Sequence, residues 1–308
     1  MNLSVKIGSL TLRNPVMVAS GTFGFGVEYA EIVDLNQLGA IVVKGIRSVP
    51  VHGNPPPRTF ELPWGLLNSI GLQGPGVDGF LHEYLPALRA YDVPIIVNVW
   101  GVTVEEYAEV CARLDSVDGV AAIELNVSCP NVKVGGAQFG ATLGTLKEVV
   151  RASRQNTRLP LIVKLSPNVP SIEDYALAAE EAGADAISIA NSFPAMAIDV
   201  RTGFPRLGNI TGGLTGPCVK PMVLKLVWDA TRVVRIPVIG VGGIQSANDA
   251  IEYLMAGATA VAIGTANFYE PQTAIRIVHG IAQYLAEHDY NDVYQLIGLT
   301  RRLIDKTR

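Results

Sequence analysis

The chain has 308 residues, 49% of them hydrophobic and 17% charged, with 24 Lys and Arg against 28 Asp and Glu. That composition and a mean hydropathy of +0.30 exclude an intrinsically disordered chain and call for a large core. A formal net charge of −4 with no basic block excludes a phosphate-backbone binder, so no nucleic-acid partner is expected.

Residues 1–9 lack the basic segment and apolar stretch of an export signal, and no later run is long enough to span a bilayer. A cytoplasmic location without membrane contact is expected. Cys111, Cys129 and Cys218 form no C-x-x-C pair, and His52, His82, His279 and His288 stand singly. The spacing therefore predicts no disulfide framework, no iron–sulfur cluster and no metal site on this chain.

In chain order, Leu3–Arg13 alternates apolar residues about Gly8-Ser9, which predicts a hairpin ahead of the main fold. Short β-branched runs follow at 15–19, 40–44, 94–98, 120–126, 160–164, 185–191, 236–240 and 259–264. Segments of helical period lie between them, among them 103–114, 171–182 and 247–256. Thr103 and Ser171 each precede a carboxylate by three residues, a helix-start signal, and Gly183 and Gly257 supply stops. Eight β-then-α units predict an α/β fold: a closed (β/α)8 TIM barrel, with the hairpin over its N-terminal end and 1–308 as a single domain. Two connections, 46–76 and 192–216, are longer than barrel loops usually are. Both leave C-terminal strand tips, so both are expected to fold over one mouth.

The tips read Ser20-Gly21, Lys44-Gly45, Asn98, Asn126, Lys164, Asn191-Ser192, Gly242-Gly243 and Gly264-Thr265. In parallel barrels polar groups at these tips line the ligand site. Glycines after the seventh and eighth strands let backbone N–H groups approach a phosphate closely, and tight turns alone would also call for them. Lys44 and Lys164 follow apolar runs with no acidic sequence neighbour, so a buried ammonium there needs an anionic ligand or a carboxylate from elsewhere. Asn68, Asn98, Asn126, Asn131 and Asn191 could present paired donors and acceptors to a planar heterocycle, and each could equally be a loop cap. Cys129, which ends the run beginning at Val120, is the nearby side chain with an ordinary pKa suited to proton abstraction, about 8.5. A thiol beside a flavin-like acceptor fits removal of a proton from one carbon and a hydride from its neighbour.

These residues sit in five motifs: Ala19-Ser-Gly-Thr-Phe-Gly24, Asn68-Ser-Ile-Gly-Leu-Gln73, Asn126-Val-Ser-Cys-Pro-Asn131, Thr211-Gly-Gly-Leu-Thr-Gly-Pro217 and Val241-Gly-Gly-Ile244. On them the chain resembles, over nearly its whole length, the class 1 dihydroorotate dehydrogenases, FMN-containing barrels of pyrimidine biosynthesis. Gly21–Gly26 and Pro130–Gly136 look like the 1B branch, which passes electrons to NAD through an iron–sulfur flavoprotein subunit. The resemblance implies that Ser20, Gly21, Lys44, Asn98, Asn126, Lys164, Ala190, Gly216, Gly242, Gly243, Gly264 and Thr265 hold FMN. It implies that Lys44, Asn68, Ser69, Ile70, Gly71, Leu72, Asn126, Asn131, Asn191 and Ser192 hold dihydroorotate, with Cys129 as the base. It further implies a homodimer flanked by two partner subunits carrying FAD and a 2Fe-2S cluster. The segment Ala190–Met196 departs from the family pattern: Ser192 keeps a hydroxyl without the usual methyl. Cys218 stands where a small residue is common and reads as filler.

The chain itself has no G-x-G-x-x-G fingerprint and no cysteine set for a cluster, so electron exit to NAD calls for a second polypeptide. Other readings stay open on the residues: a fumarate-dependent class 1A enzyme, a dihydropyrimidine dehydrogenase-like module, a flavin-free aldolase barrel using Lys44 or Lys164 as a Schiff base, and a scaffold without activity.

Overall fold

The structure is a computed structural model that describes residues 1–128 and 139–307. It opens with two antiparallel strands, β1 (Val5–Ile7) and β2 (Leu10–Leu12). There follow β3 (Val16–Val18), β4 (Ala40–Val42), β5 (Thr59–Leu62), β6 (Gly65–Asn68), β7 (Ile95–Val99), β8 (Ala122–Asn126) and β9 (Leu161–Leu165). The series ends with β10 (Ala186–Ile189), β11 (Phe193–Ala195), β12 (Gly212–Thr215), β13 (Val238–Gly240) and β14 (Ala260–Ile263).

Eight parallel strands close a barrel in the order β3-β4-β7-β8-β9-β10-β13-β14, and β14 returns to β3 through Val261 opposite Val16. These strands are buried on both faces, which is why they read as unbroken apolar runs. The β1–β2 hairpin lies at the N-terminal end as expected. A Cβ on Gly8 would come within 2.9 Å of Asp185, the residue just before β10.

The helices Val104–Asp115 and Ile172–Glu181 start where the hydroxyls predicted. Thr103 Oγ1 accepts from the Glu106 N–H at 3.1 Å and Ser171 Oγ from the Asp174 N–H at 3.2 Å. The complete reciprocal box forms at Ser246 and Asp249, which open Ala247–Ala256; Glu106 instead turns its carboxylate to Arg47.

One βα unit departs from the expected pattern. Between β3 and β4 stand only two 3-10 turns, Val27–Tyr29 and Leu35–Gln37. Gly21, Gly24 and Gly26 hold φ of 79°, 54° and 102°, a left-handed backbone through which an α-helix cannot run.

The long connections do meet over the mouth, and they do so as a sheet. β5 and β6 form a hairpin, β11 and β12 another, and β6 pairs with β12 to give the order β11-β12-β6-β5. Glycine makes this approach possible at β12. A Cβ on Gly212 would stand 2.4 Å from the Asn68 carbonyl, and one on Gly213 would stand 2.0 Å from Ser192 Oγ. Among the described residues no helix is long and apolar enough to cross a membrane.

Candidate active site

A cavity of about 220 Å³ lies at the C-terminal mouth between the strand tips and the four-stranded sheet. Its floor and one wall come from the tips of β7 to β10: Asn98, Asn126, Lys164, Ala190, Asn191 and Ser192. The opposite wall carries Gly216, Gly242, Gly243, Gly264 and Thr265. Ser20 and Gly21 after β3, Lys44 after β4, and Asn68, Ile70, Gly71 and Leu72 after β6 complete the ring. Eighteen separate sequence positions are thus brought together by the closed barrel and the sheet over its mouth.

Among the described residues, one expected residue is not on this wall. Ser69 is fully buried beside it: its N–H donates to the Arg58 carbonyl at 2.8 Å and its own carbonyl accepts from Asn54 at 3.0 Å, so it holds the loop. Cys129 and Asn131 lie outside the described residues.

Hydrogen bonds fix which polar atoms face the cavity. Asn126 Oδ1 accepts from Ser128 Oγ at 2.9 Å, and Asn191 Nδ2 donates to the same Ser128 Oγ at 2.9 Å. That leaves Asn126 Nδ2 as a donor toward a ligand. Asn98 Nδ2 donates to Glu124 at 2.6 Å, a buried carboxylate that the sequence reading passed over.

Lys164 is only 5% exposed, whereas Lys44 is half-buried rather than buried. Neither ammonium makes a hydrogen bond or ion pair among the described residues. Burial pushes the Lys44 ammonium below its usual value, Glu28 opposes the push, and Arg58 adds to it. Two unpaired cations on one cavity require an anionic guest to offset their desolvation.

The glycine wall separates turn chemistry from ligand space. Gly243 has φ of 69° and a Cβ there would stand 2.8 Å from the Lys220 backbone nitrogen, so packing alone demands glycine. Gly264 has no such constraint: a Cβ would meet nothing closer than Ala19 and Thr22 at 4.0 Å and would project into open cavity. The N–H groups of Gly243, Gly264 and Thr265 bond to no atom of the described residues. Behind them the Tyr253 hydroxyl donates to the Gly242 carbonyl at 2.7 Å, and burial raises that phenol's pKa. Thr265 Oγ1 donates to Thr215 Oγ1 at 2.8 Å, tying the four-stranded sheet to this wall.

Sequence reasoning missed the apolar lining from Leu66, Leu214, Val219, Val241, Ile244 and Phe268. These residues give the cavity an apolar lining between its polar groups. Leu214, Val241 and Ile244 stood inside quoted motifs, and nothing in an apolar residue's identity marks it as facing a ligand.

The family model described as dihydroorotate dehydrogenase matches residues 2–285. The chain belongs to the dihydroorotate dehydrogenase family. It is 53% identical over 298 residues to a protein of Desulforamulus reducens, covering 97% of this chain and 98% of that one. Identity to a Thermoanaerobacter pseudethanolicus protein is 52% over 298 residues, again 97% and 98% of the two chains. A Geobacter sp. protein is 50% identical over 297 residues, or 96% and 97%. All three are named dihydroorotate dehydrogenase B (NAD(+)), catalytic subunit. Membership makes this dihydroorotate dehydrogenase an oxidoreductase.

Proposed function

We propose that the chain is the catalytic subunit of an NAD-linked dihydroorotate dehydrogenase, which oxidises (S)-dihydroorotate to orotate on the route to UMP. The observation that carries this reading is one cavity holding two unpaired ammonium groups, a cluster of oriented asparagines and, at Gly264, a space that no side chain fills.

FMN suits those features. The N–H groups of Gly243, Gly264 and Thr265 would hold its phosphate, Lys164 its pyrimidine end, and the apolar lining its ring faces. When bound, FMN supplies the hydride acceptor. Lys44, Asn68–Leu72, Asn126, Asn131, Asn191 and Ser192 would hold dihydroorotate, with Lys44 opposite its carboxylate. Cys129 would take the proton from carbon 5 as the hydride departs from carbon 6, so the two electrons and both hydrogens of the new double bond are accounted for.

Residues 1–308 are read as one FMN-binding barrel domain acting in the cytoplasm. Electrons would leave through a partner subunit carrying FAD and a 2Fe-2S cluster, in a heterotetramer built on a homodimer of this chain. The relatives' names, each a catalytic subunit, support a partner of some kind.

An anaerobic absorbance titration of the purified chain with dihydroorotate tests the reading. A yellow protein that bleaches is expected. A colourless protein that FMN cannot reconstitute defeats the flavin assignment, and full-rate NAD reduction by the lone chain defeats the partner.

A further inference from the structure

Among the described residues three carboxylates are buried: Glu106, Asp229 and Glu124. Glu106 is paired with Arg47 and Asp229 with Lys225. Glu124 is 3% exposed and has no ion pair among the described residues. A buried carboxylate without a cation is costly unless its acceptors are used for something.

Register shows what they are used for. Glu124 sits directly opposite Asn98 on neighbouring strands β8 and β7, and two residues before Asn126 on the same inward face. It therefore forms the layer beneath the cavity floor. Its Oε1 accepts from Asn98 Nδ2 at 2.6 Å and its Oε2 from Ser188 Oγ at 2.8 Å. A side-chain amide can present either end to a ligand, but a carboxylate beneath it can only accept. Asn98 is thereby locked with its nitrogen down. Its Oδ1 turns up, to 3.0 Å from where a Cβ on Gly45 would stand, and accepts no hydrogen bond from the described residues.

We propose that Glu124 is a positioning residue that holds Asn98 with Oδ1 toward the cavity, where it accepts the ring N–H of the cofactor. The inference rests on the FMN reading above. Oxidised flavin has a single ring N–H, on the imide, so the donor is defined by its chemistry.

The test uses the full chain stripped of FMN and titrated with FMN and with 3-methyl-FMN, whose imide nitrogen carries no hydrogen. The wild-type chain should prefer FMN by about tenfold, the scale of one hydrogen bond to a buried acceptor. In Glu124→Ala, Asn98 is free to turn and the two flavins should bind within about twofold of each other. Glu124→Gln still offers a carbonyl to Asn98 and should restore most of the preference, which a general packing defect would not allow. Asn98→Ala should abolish the preference on its own, and this variant decides the matter if Glu124→Ala does not fold. An undiminished preference in either alanine variant overturns the proposal, because it would then come from the bulk of the methyl group. A wild-type chain that takes up neither flavin defeats the FMN reading itself.

Discussion

The wall formed at the tips of β13 and β14 and the wall formed at the tips of β7 to β10 face the same cavity, yet the first offers backbone and the second offers side chains. On the glycine wall the usable groups are N–H donors fixed by the turn, and Gly264 leaves open space in front of them. On the polar wall the usable groups are ammonium groups and amides, and the amides of Asn98 and Asn126 are oriented by Glu124, which Ser188 also contacts, and by Ser128. A backbone wall suits a group that must be held and left unchanged, such as a phosphate. A side-chain wall suits one whose charge changes during reaction, because amides and cations can be graded.

If chemistry belongs to the side of the polar wall, the largest effect should come from Cys129, three residues after Asn126 in sequence. Cys129→Ser is expected to slow flavin reduction by dihydroorotate about 10²–10⁴-fold, the usual contribution of a general base, while FMN content stays at the wild-type level. Anaerobic stopped-flow absorbance reads the rate directly. Equal rates in the two proteins would remove Cys129 from the base role.

The glycine wall should fail differently, and its two glycines should fail differently from each other. Gly264→Leu places a side chain in open cavity, so FMN binding should be lost while the thermal melt stays near wild type. Gly243→Ala sets a Cβ against the Lys220 backbone at a positive φ and should cost about 1–3 kcal/mol of stability. FMN retention by Gly264→Leu would show that the space beside Ala19 and Thr22 is not ligand space.

Most of the barrel was legible because parallel strands buried on both faces must be apolar, and their polar tips then stand out by contrast. Lys44, Lys164, Asn98 and Asn126 were found that way. Glu124 was missed although it breaks the apolar run of β8, because it sits in the layer beneath the tip, where its partners Asn98 and Ser188 come from other strands. The four-stranded sheet was missed for a different reason. β12 is Gly-Gly-Leu-Thr, which has almost no intrinsic strand preference and pairs because its glycines let the Asn68 carbonyl come close. The missing helix after β3 was foreshadowed by Gly21, Gly24 and Gly26, whose conformations only the fold reveals.

The smallest effect expected concerns the brace under the polar wall. Three residues beyond Lys44, Arg47 binds both oxygens of Glu106 at 2.7 and 2.9 Å and lies 5.0 Å over the Trp100 ring. Ser48 and the Val102 N–H complete the carboxylate's contacts. Burial works against the charge on Glu106, but these donors outweigh it and hold the carboxyl below its ordinary value. A depressed folded-state pKa contributes stability that is fully present above the unfolded value of about 4.3 and is lost as pH falls through the folded pKa. Arg47→Ala should therefore cost about 1–3 kcal/mol near neutral pH, where it leaves a buried acceptor unsatisfied. That difference from wild type should shrink on acidification as the Glu106 carboxyl takes up its proton. Urea melts of both proteins from pH 7 down to about pH 3 measure it. A gap that stays constant across this range would mean that Arg47 contributes by packing on Trp100 and not through its pair with Glu106.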